Sequence, residues 1–315
     1  MIPRNETETY TTKLAGIIRT IAEKDDECRR RDIRILDLCT GTGCISLLLH
    51  SLLRPPSPSK AAPLQTELGR RIAASDVEIL GVDISARALT LANENLRQNV
   101  KKGFLHPHAL QEVSFVQADV LSQDERDQTS TQSHPQLRVP SPRRPSGMLE
   151  PIWEILDQMR NRQRDVVLAN PPYISPSRYA PGGTMTKIVR LWEPKLALVP
   201  PAYTSREYQG AGGTSISDSE SYQSIRGDEF YMPIFRVAKA VQAKVVLVEV
   251  ADDSQASRVM KLAGLCFAGN PHIVREIWRD DGTVQAEAQK TSAGAPGAEA
   301  RAVVVWTSAW AKWRL

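Results

Sequence analysis

Residues 33–53 read IRILDLCTGTGCISLLLHSLL. The apolar run IRILDL is typical of a buried strand, and GCISLLLHSLL is typical of a helix that follows it. Between them, the turn Thr40-Gly41-Thr42-Gly43 would let the backbone approach a ligand closely. A strand, a glycine-rich turn and a helix in this order predict the first unit of a parallel α/β sheet.

The same alternation continues along the chain. Strands are predicted at 77–84, 112–119, 164–170 and 244–250, and helices at 85–100, 233–242 and 254–265. The runs at 272–278 and 301–307 have no helix between them and predict an antiparallel hairpin at the sheet edge. The fold class is therefore α/β: a Rossmann-like, seven-stranded, mostly parallel sheet with a C-terminal antiparallel hairpin.

The length of 315 residues suits one large domain or two small ones. Residues 1–30 are interpreted as a linker and lead-in helix, and residues 31–315 as the domain, with disordered insertions at 54–75, 122–150 and 200–228. The net charge of +4 is ordinary surface charge, compatible with RNA without requiring it. Four cysteines without C-x-x-C spacing predict reduced thiols in an intracellular protein, and five scattered histidines predict no metal site. No apolar run approaches the ~20 residues of a membrane span.

Three acidic side chains stand at successive strand ends. Asp37 can accept a hydrogen bond from a ligand ammonium group, Asp83 can bind two ribose hydroxyls, and Asp119 can read an adenine amine. Taken singly, each is equally well a strand-end or helix-capping residue. The turn is not G-x-G-x-x-G, because position 46 is serine, and no Lys-Ser/Thr follows it. The turn thus disfavours a pyrophosphate and allows a small zwitterionic nucleoside. NAD enzymes and S-adenosylmethionine (SAM) enzymes share the acid at the end of the second strand, and SAM is the predicted cofactor.

A second motif, NPPY, follows the fourth strand. Methyl transfer to an amide or aryl amine requires that this weakly nucleophilic nitrogen be held in line with the methyl group, with its N–H bonds on acceptors. The Asn170 side-chain carbonyl and the Pro171 backbone carbonyl can supply these acceptors, and Pro171 and Pro172 make them rigid. Tyr173 can pack its ring on the flat face of the substrate. A strand terminator with a space-filling tyrosine is the plainer interpretation.

These stretches resemble the HemK/PrmC-type glutamine methyltransferases, which modify the Gly-Gly-Gln loop of peptide-chain release factors. The resemblance rests on four stretches: IPRNETE (2–8), LDLCTGTGCISL (36–47), VDISARALTLANENLRQN (82–99), and NPPYIS (170–175) with VRLWEPKLAL (189–198). The NPPY motif is shared with adenine methyltransferases, whereas the first and last stretches are narrower. The resemblance covers residues 2 to about 278 apart from the insertions, and it implies a SAM-dependent methyltransferase fold.

The resemblance also implies residue roles. Asn170, Pro171, Pro172 and Tyr173 would hold the substrate glutamine, with Glu193 and Pro194 shaping the pocket wall. With the strand-end acids, the predicted cofactor site comprises Asp37, Cys39, Thr40, Gly41, Thr42, Gly43, Asp83, Asp119, Val120 and Asn170. Cys39 stands where the family often has glycine, and we expect it to be tolerated if its backbone angles are ordinary.

The family's N-terminal helical domain, which is thought to grip the release factor, is not in this chain. We therefore expect either a truncated gene product or a protein that works without that domain. The first stretch resembles the mitochondrial and bacterial type, which predicts a mitochondrial protein, with the cytoplasm as the alternative. The predicted partner is a release factor, with transient proximity to the ribosome or RNA and no membrane. The rival functions are an adenine exocyclic-amine methyltransferase on DNA or RNA and an inactive SAM-binding scaffold; a nucleotide-dependent oxidoreductase is disfavoured by the glycine spacing.

Overall fold

The computed structural model describes residues 4–25, 32–56, 77–122, 149–201, 227–286 and 297–314. The strands are β1 Ile33–Leu38, β2 Val77–Asp83, β3 Val113–Gln117, β4 Val166–Ala169, β5 Val245–Glu249, β6 Val274–Arg279, β7 Val284–Ala286 and β8 Ala300–Trp306. The α-helices are α1 Asn5–Lys24, α2 Cys44–Leu53, α3 Ala86–Lys101, α4 Ala109–Glu112, α5 Ile152–Gln158, α6 Pro176–Tyr179, α7 Lys187–Trp192, α8 Tyr231–Ala240 and α9 Asp253–Cys266. Two 3₁₀ helices span Lys195–Ala197 and Ala309–Trp313.

All eight strands form one sheet in the order β3-β2-β1-β4-β5-β8-β6-β7. Strands β1 to β5 pair in parallel, and β8 pairs antiparallel with both β5 and β6. The predicted α/β class, with a mostly parallel sheet and a C-terminal antiparallel pair, is confirmed. Two details differ from the prediction: β8 inserts between β5 and β6 rather than lying at the edge, and β7 adds a short eighth strand.

The sheet is covered on both faces, which explains why its central strands are continuously apolar. Successive residues of a strand point to opposite faces. In β5, Val246 and Val248 enter the core beneath α5, α8 and α9, whereas Val245 and Leu247 enter the core beneath α1 and α2. Every residue of β4 and β5 is buried.

Two helices show how the local sequence sets their ends and faces. Ser85 caps α3 by accepting a hydrogen bond from the Ala88 N–H at 3.2 Å, as expected for a serine before an amphipathic run. The 20-residue helix α1 lies in the lead-in region, and its apolar side packs against α2, β8 and the C-terminal 3₁₀ helix. Its buried apolar stripe comprises Tyr10, Leu14, Ile17, Ile18 and Ile21.

The three predicted insertions fall almost entirely outside the described residues. The structure describes positions 54–56 of the first, 122, 149 and 150 of the second, and 200, 201, 227 and 228 of the third. The prediction that these segments are disordered therefore stays a prediction, as does the division of the chain at residue 30.

Candidate functional site

Strand register brings the predicted residues to one edge of the sheet. Leu38, the last residue of β1, pairs with Val82 of β2 and with Ala169 of β4. The next residues along these strands are Cys39, Asp83 and Asn170, so Cys39 lies between the other two. This is the point where the strand order reverses, because β2 and β4 flank β1, and ligands of open α/β sheets bind at such a point.

The glycine turn is fixed by backbone hydrogen bonds. The Thr40 N–H donates to the Val82 carbonyl at 2.9 Å, and the Gly43 N–H donates to the Thr40 carbonyl at 3.0 Å. Gly43 has φ +78°, which L side chains rarely adopt, and begins α2 as its N-cap. The Asn95 side chain of α3 donates to the Thr42 carbonyl at 3.0 Å. The turn is therefore held from both sides before any ligand binds.

Asp37 lies beneath this turn and is fully buried. Its Oδ2 accepts hydrogen bonds from the Thr40 and Ser46 hydroxyls, both at 2.6 Å. Its Oδ1 is buried and has no hydrogen-bond partner among the described residues. Burial raises the pKa of this carboxyl from 3.8 to about 6, against the opposing effect of the two hydroxyls. A buried acceptor without a donor fits the cationic end of a small ligand, directly or through water.

Asp83 is oriented by the same turn. Its Oδ2 accepts from the Gly41 N–H and its Oδ1 from the Ser85 N–H, both at 2.8 Å. Each carboxylate oxygen accepts about two hydrogen bonds, so both keep capacity for ribose hydroxyls. Burial raises the pKa of this carboxyl, while the backbone donors oppose the increase.

Asp119 lies just beyond β3, where the Leu121 N–H donates to its Oδ1 at 2.9 Å. Its neighbour Val120 is buried in the core. Burial raises the pKa of the Cys39 thiol, and the charges of Asp83, Asp37 and Asp119 add to that effect. All three strand-end acids are therefore close enough to influence Cys39, and their role in one shared site stays a prediction.

The NPPY corner follows β4 directly. Pro171 and Pro172 are buried, whereas Asn170 and Tyr173 are half-buried. No partner for the Asn170 side-chain amide is found in the part of the chain that the structure describes. The Gln255 side chain donates to the Tyr173 carbonyl at 3.2 Å, which holds the backbone behind the corner. As far as the described residues show, the Asn170 amide is left available to a ligand.

The segment 189–198 packs against this corner. The Ile174 N–H donates to the Leu198 carbonyl at 2.8 Å, and Ile174, Leu198 and Val199 form a small apolar core. Glu193 is half-buried, whereas Pro194 is exposed. The structure thus brings the segment to the corner, and only Glu193 of this pair is enclosed there.

Sequence reasoning missed one residue at this edge. Glu249 ends β5, directly after Val248, which pairs with Ala169, so it lies beside Asn170. Its carboxylate accepts a hydrogen bond from the Tyr173 hydroxyl at 2.7 Å. The signal was present, because KVVLVEV has an acidic residue at the end of an apolar strand, as the runs ending in Asp37 and Asp83 do.

Two concave surfaces elsewhere do not belong to this site. One lies at the opposite, amino-terminal edge of the sheet and is lined in part by Arg34, Glu78 and Arg164. The other lies between α8 and the end of α9, beside Arg236 and Cys266. The candidate site is defined by strand register and hydrogen bonding rather than by either of these hollows.

Comparison with known proteins points to one family. The Schizosaccharomyces pombe protein described as probable MRF1 mitochondrial N(5)-glutamine methyltransferase mtq1 is 29% identical over 200 residues, which cover 63% of this chain and 44% of that protein. The release factor glutamine methyltransferase of Haemophilus influenzae is 34% identical over 99 residues, which cover 31% of this chain and 28% of that protein. The resemblance to the HemK/PrmC-type glutamine methyltransferases is confirmed.

This chain spans less than half the length of these curated relatives. No family profile matches the sequence. A solved structure described as the delta-N METTL16 MTase domain superposes with a TM-score of 0.46 at 12% identity, covering 98% of this chain and 84% of that chain.

Cys39 departs from the HemK/PrmC pattern, and its backbone is not ordinary. Its φ is +59°, in the left-handed region that disfavours side chains. We expected Cys39 to be tolerated if its backbone angles were ordinary, and this condition is not met. The cysteine should therefore cost about 1 kcal/mol of backbone strain. The strain lies within the predicted cofactor loop.

Other sequence expectations concern thiols, metals and membranes. Cys39, Cys44 and Cys266 are free thiols, and Cys28 lies outside the described residues. Within the described ranges, no group of three or more His, Cys, Asp or Glu side chains is arranged to hold a metal ion. None of the described helices has the length and apolar character needed to cross a bilayer.

Proposed function

We propose that this protein methylates the side-chain amide nitrogen of a protein glutamine, in the Gly-Gly-Gln loop of a peptide-chain release factor. The names of both curated relatives support this reaction. The observation that carries the proposal is the strand register, which sets Asn170 beside the Cys39 end of the glycine turn. Among the described residues, nothing pairs with the Asn170 side-chain amide. A methyl donor and an amide acceptor would meet there.

The residues present fit SAM as the cofactor. SAM supplies an electrophilic methyl group on a sulfonium, together with an ammonium group, a ribose and an adenine. The buried Oδ1 of Asp37 would face the ammonium group, Asp83 the ribose hydroxyls, and Asp119 the adenine amine. The residues proposed to hold it are Asp37, Cys39, Thr40, Gly41, Thr42, Gly43, Asp83, Asp119, Val120 and Asn170.

The corner would orient the acceptor. The Asn170 side-chain carbonyl and the Pro171 carbonyl would each accept one N–H bond of the glutamine amide, which turns the nitrogen lone pair toward the methyl group. Pro172 keeps this backbone rigid, and the Tyr173 ring would cover the flat face of the amide. The nitrogen loses a proton after transfer, and this proton can leave to water, so no strong base is required.

The test is transfer of radiolabelled methyl from SAM to a purified release factor. A release factor with Gln→Ala in its Gly-Gly-Gln loop and the enzyme variant Asn170→Ala are the matched controls, and the circular dichroism spectrum of each enzyme shows that it is folded. We expect label only with the intact glutamine and intact Asn170. Label on DNA or RNA instead would favour the adenine methyltransferase, and SAM binding without transfer to any substrate would indicate a scaffold.

We also propose a mitochondrial location, with the cytoplasm as the alternative. The name of the Schizosaccharomyces pombe relative supports it. Fractionation of cells that express the tagged natural gene product should place the tag with matrix markers. Recovery of the tag with cytosolic markers alone would contradict this location. Proximity to the ribosome or RNA stays a prediction that co-sedimentation can test.

A further inference from the structure

We propose that Glu249 is a positioning residue for the reaction proposed above, because its carboxylate joins Tyr173 of the NPPY corner to the first turns of α1. The inference rests on that proposed function. The beginning of α1 then has two roles: it packs on the sheet, and it supports Tyr173 in the active site.

Three hydroxyl groups converge on the buried Glu249 carboxylate, which belongs to a residue with 4% exposure. The Tyr173 hydroxyl donates to Oε1 at 2.7 Å, and the hydroxyls of Tyr10 and Thr7 donate to Oε2 at 2.6 and 3.0 Å. Thr7 and Tyr10 are three residues apart and so lie on one face of α1. The carboxylate therefore bridges two parts of the chain that are far apart in sequence.

The backbone of Glu249 is also fixed. The Tyr231 hydroxyl of α8 donates to its carbonyl at 3.0 Å, and Glu249 pairs with Ala302 in β8. At the other end of the bridge, α1 is held in place, because its apolar stripe is buried against the sheet. Both anchors of the bridge are therefore rigid, and the position of the Tyr173 hydroxyl is determined by them.

The hydrogen bonds of Glu249 partly offset the effect of its burial. Burial raises the pKa of this carboxyl, and the three hydroxyl donors and Arg4 oppose the increase without cancelling it. The hydrogen bonds from Tyr10 and Tyr173, at 2.6 and 2.7 Å, have the short lengths typical of hydroxyl groups that donate to a carboxylate, whereas the bond from Thr7, at 3.0 Å, is longer. Arg4 also lies 3.5 Å from the Tyr173 oxygen and 3.8 Å from the Glu193 carboxylate. The N-terminal motif thus reaches both sides of the corner.

This arrangement assigns Tyr173 a steric rather than a proton-transfer role. Its single hydroxyl proton is donated to Glu249, and burial raises the pKa of the phenol well above its ordinary value, so the group does not act as a base. The ring, held at its hydroxyl end by Glu249 and at its backbone end by Gln255, is left to cover the substrate amide. Loss of the bridge should therefore misplace the ring without removing it.

The experiment measures kcat, KM for the release factor and SAM affinity in Glu249→Gln, Tyr173→Phe, their double variant and Tyr10→Phe. Tyr179→Phe is the matched control, since within the described ranges that hydroxyl donates to the Arg190 carbonyl alone, at 3.4 Å, and not to Glu249. We expect kcat to fall about 10-fold in the two single variants, with KM and SAM affinity changed less than about twofold. The double variant should be no worse than the worse single variant, because Tyr173→Phe removes the contact between Tyr173 and Glu249 that Glu249→Gln weakens. Tyr10→Phe should lower kcat about threefold, and Tyr179→Phe should not.

Unchanged kcat in folded Glu249→Gln, with only its stability reduced, would overturn the inference and leave a purely structural role. If the wild-type protein methylates no release factor, the proposed function fails, and the bridge is then judged by NMR of carbon-13-labelled tyrosine rings. The Tyr173 ring signal, assigned with Tyr173→Phe, should shift or broaden in Glu249→Gln. An unchanged signal would contradict the bridge independently of any substrate.

Discussion

Replacement of Asp37 by asparagine should change how the free energy of unfolding depends on pH. Burial raises the pKa of this carboxyl from 3.8 to about 6 in the folded protein. The folded protein therefore binds the proton more tightly than the unfolded chain does. The resulting stabilisation is fully present below about pH 4 and is lost as the pH rises through about 6.

The size of the effect follows from the two pKa values. The difference between 3.8 and about 6 corresponds to about 3 kcal/mol at 25 °C. Asparagine stays neutral at every pH, and its carbonyl can still accept the hydrogen bonds of Thr40 and Ser46. The stability of Asp37→Asn relative to the wild type should therefore rise by about 2.4 kcal/mol between about pH 4, where part of the effect is already lost, and about pH 7.5.

Urea denaturation of the cofactor-free protein, followed by circular dichroism across this pH range, measures the difference. Asp157→Asn, at an exposed carboxylate, controls for the loss of one negative charge. A difference between Asp37→Asn and wild type that is the same at both ends of the range would refute the argument. Asp37→Asn should also weaken SAM binding, because an amide lacks the charge that the ligand's ammonium group needs.

Three further predictions concern stability and are checked by chemical denaturation. Gly81→Ala should lower the free energy of unfolding by about 1–3 kcal/mol, because the added methyl group would come 2.5 Å from an aromatic carbon of the next strand. At Gly16 an added methyl group would meet no atom within 4 Å, so Gly16→Ala should instead stabilise the protein by up to about 1 kcal/mol. The free energy of unfolding of Cys39→Gly should exceed that of Cys39→Ala by about 1 kcal/mol, because φ at this position is +59°. This is the reverse of the usual order, and equal stability of the two variants would contradict it. Glu112→Gln should cost about 3 kcal/mol, because it removes the charge facing a buried guanidinium and imidazole; a loss as small as that of exposed Glu94→Gln would argue against it.

The parallel part of the sheet could be predicted because its signals are local. Continuous apolar runs, the glycine turn and the capping serine each act within a few residues, and the predicted strand β1 matches the observed Ile33–Leu38. The position of β8 could not be predicted in this way. Both possible arrangements of the last two strands give the same alternating pattern, and only packing against β5 selects the inserted one. The three-residue β7 is too short to carry a pattern.

The sequence by itself determined which residues stand at the strand ends. Asp37, Asp83, Asp119 and Asn170 each follow an apolar run, and parallel strands place their carboxyl ends at one edge. Only the tertiary structure decided how deeply these side chains are buried and which hydrogen bonds they make, because the segments that bury them and bind them are distant in the chain. It buried Asp37 with one oxygen unpaired, and it brought α1 to Glu249 across 239 residues, from Tyr10. No local pattern encodes a contact of that separation.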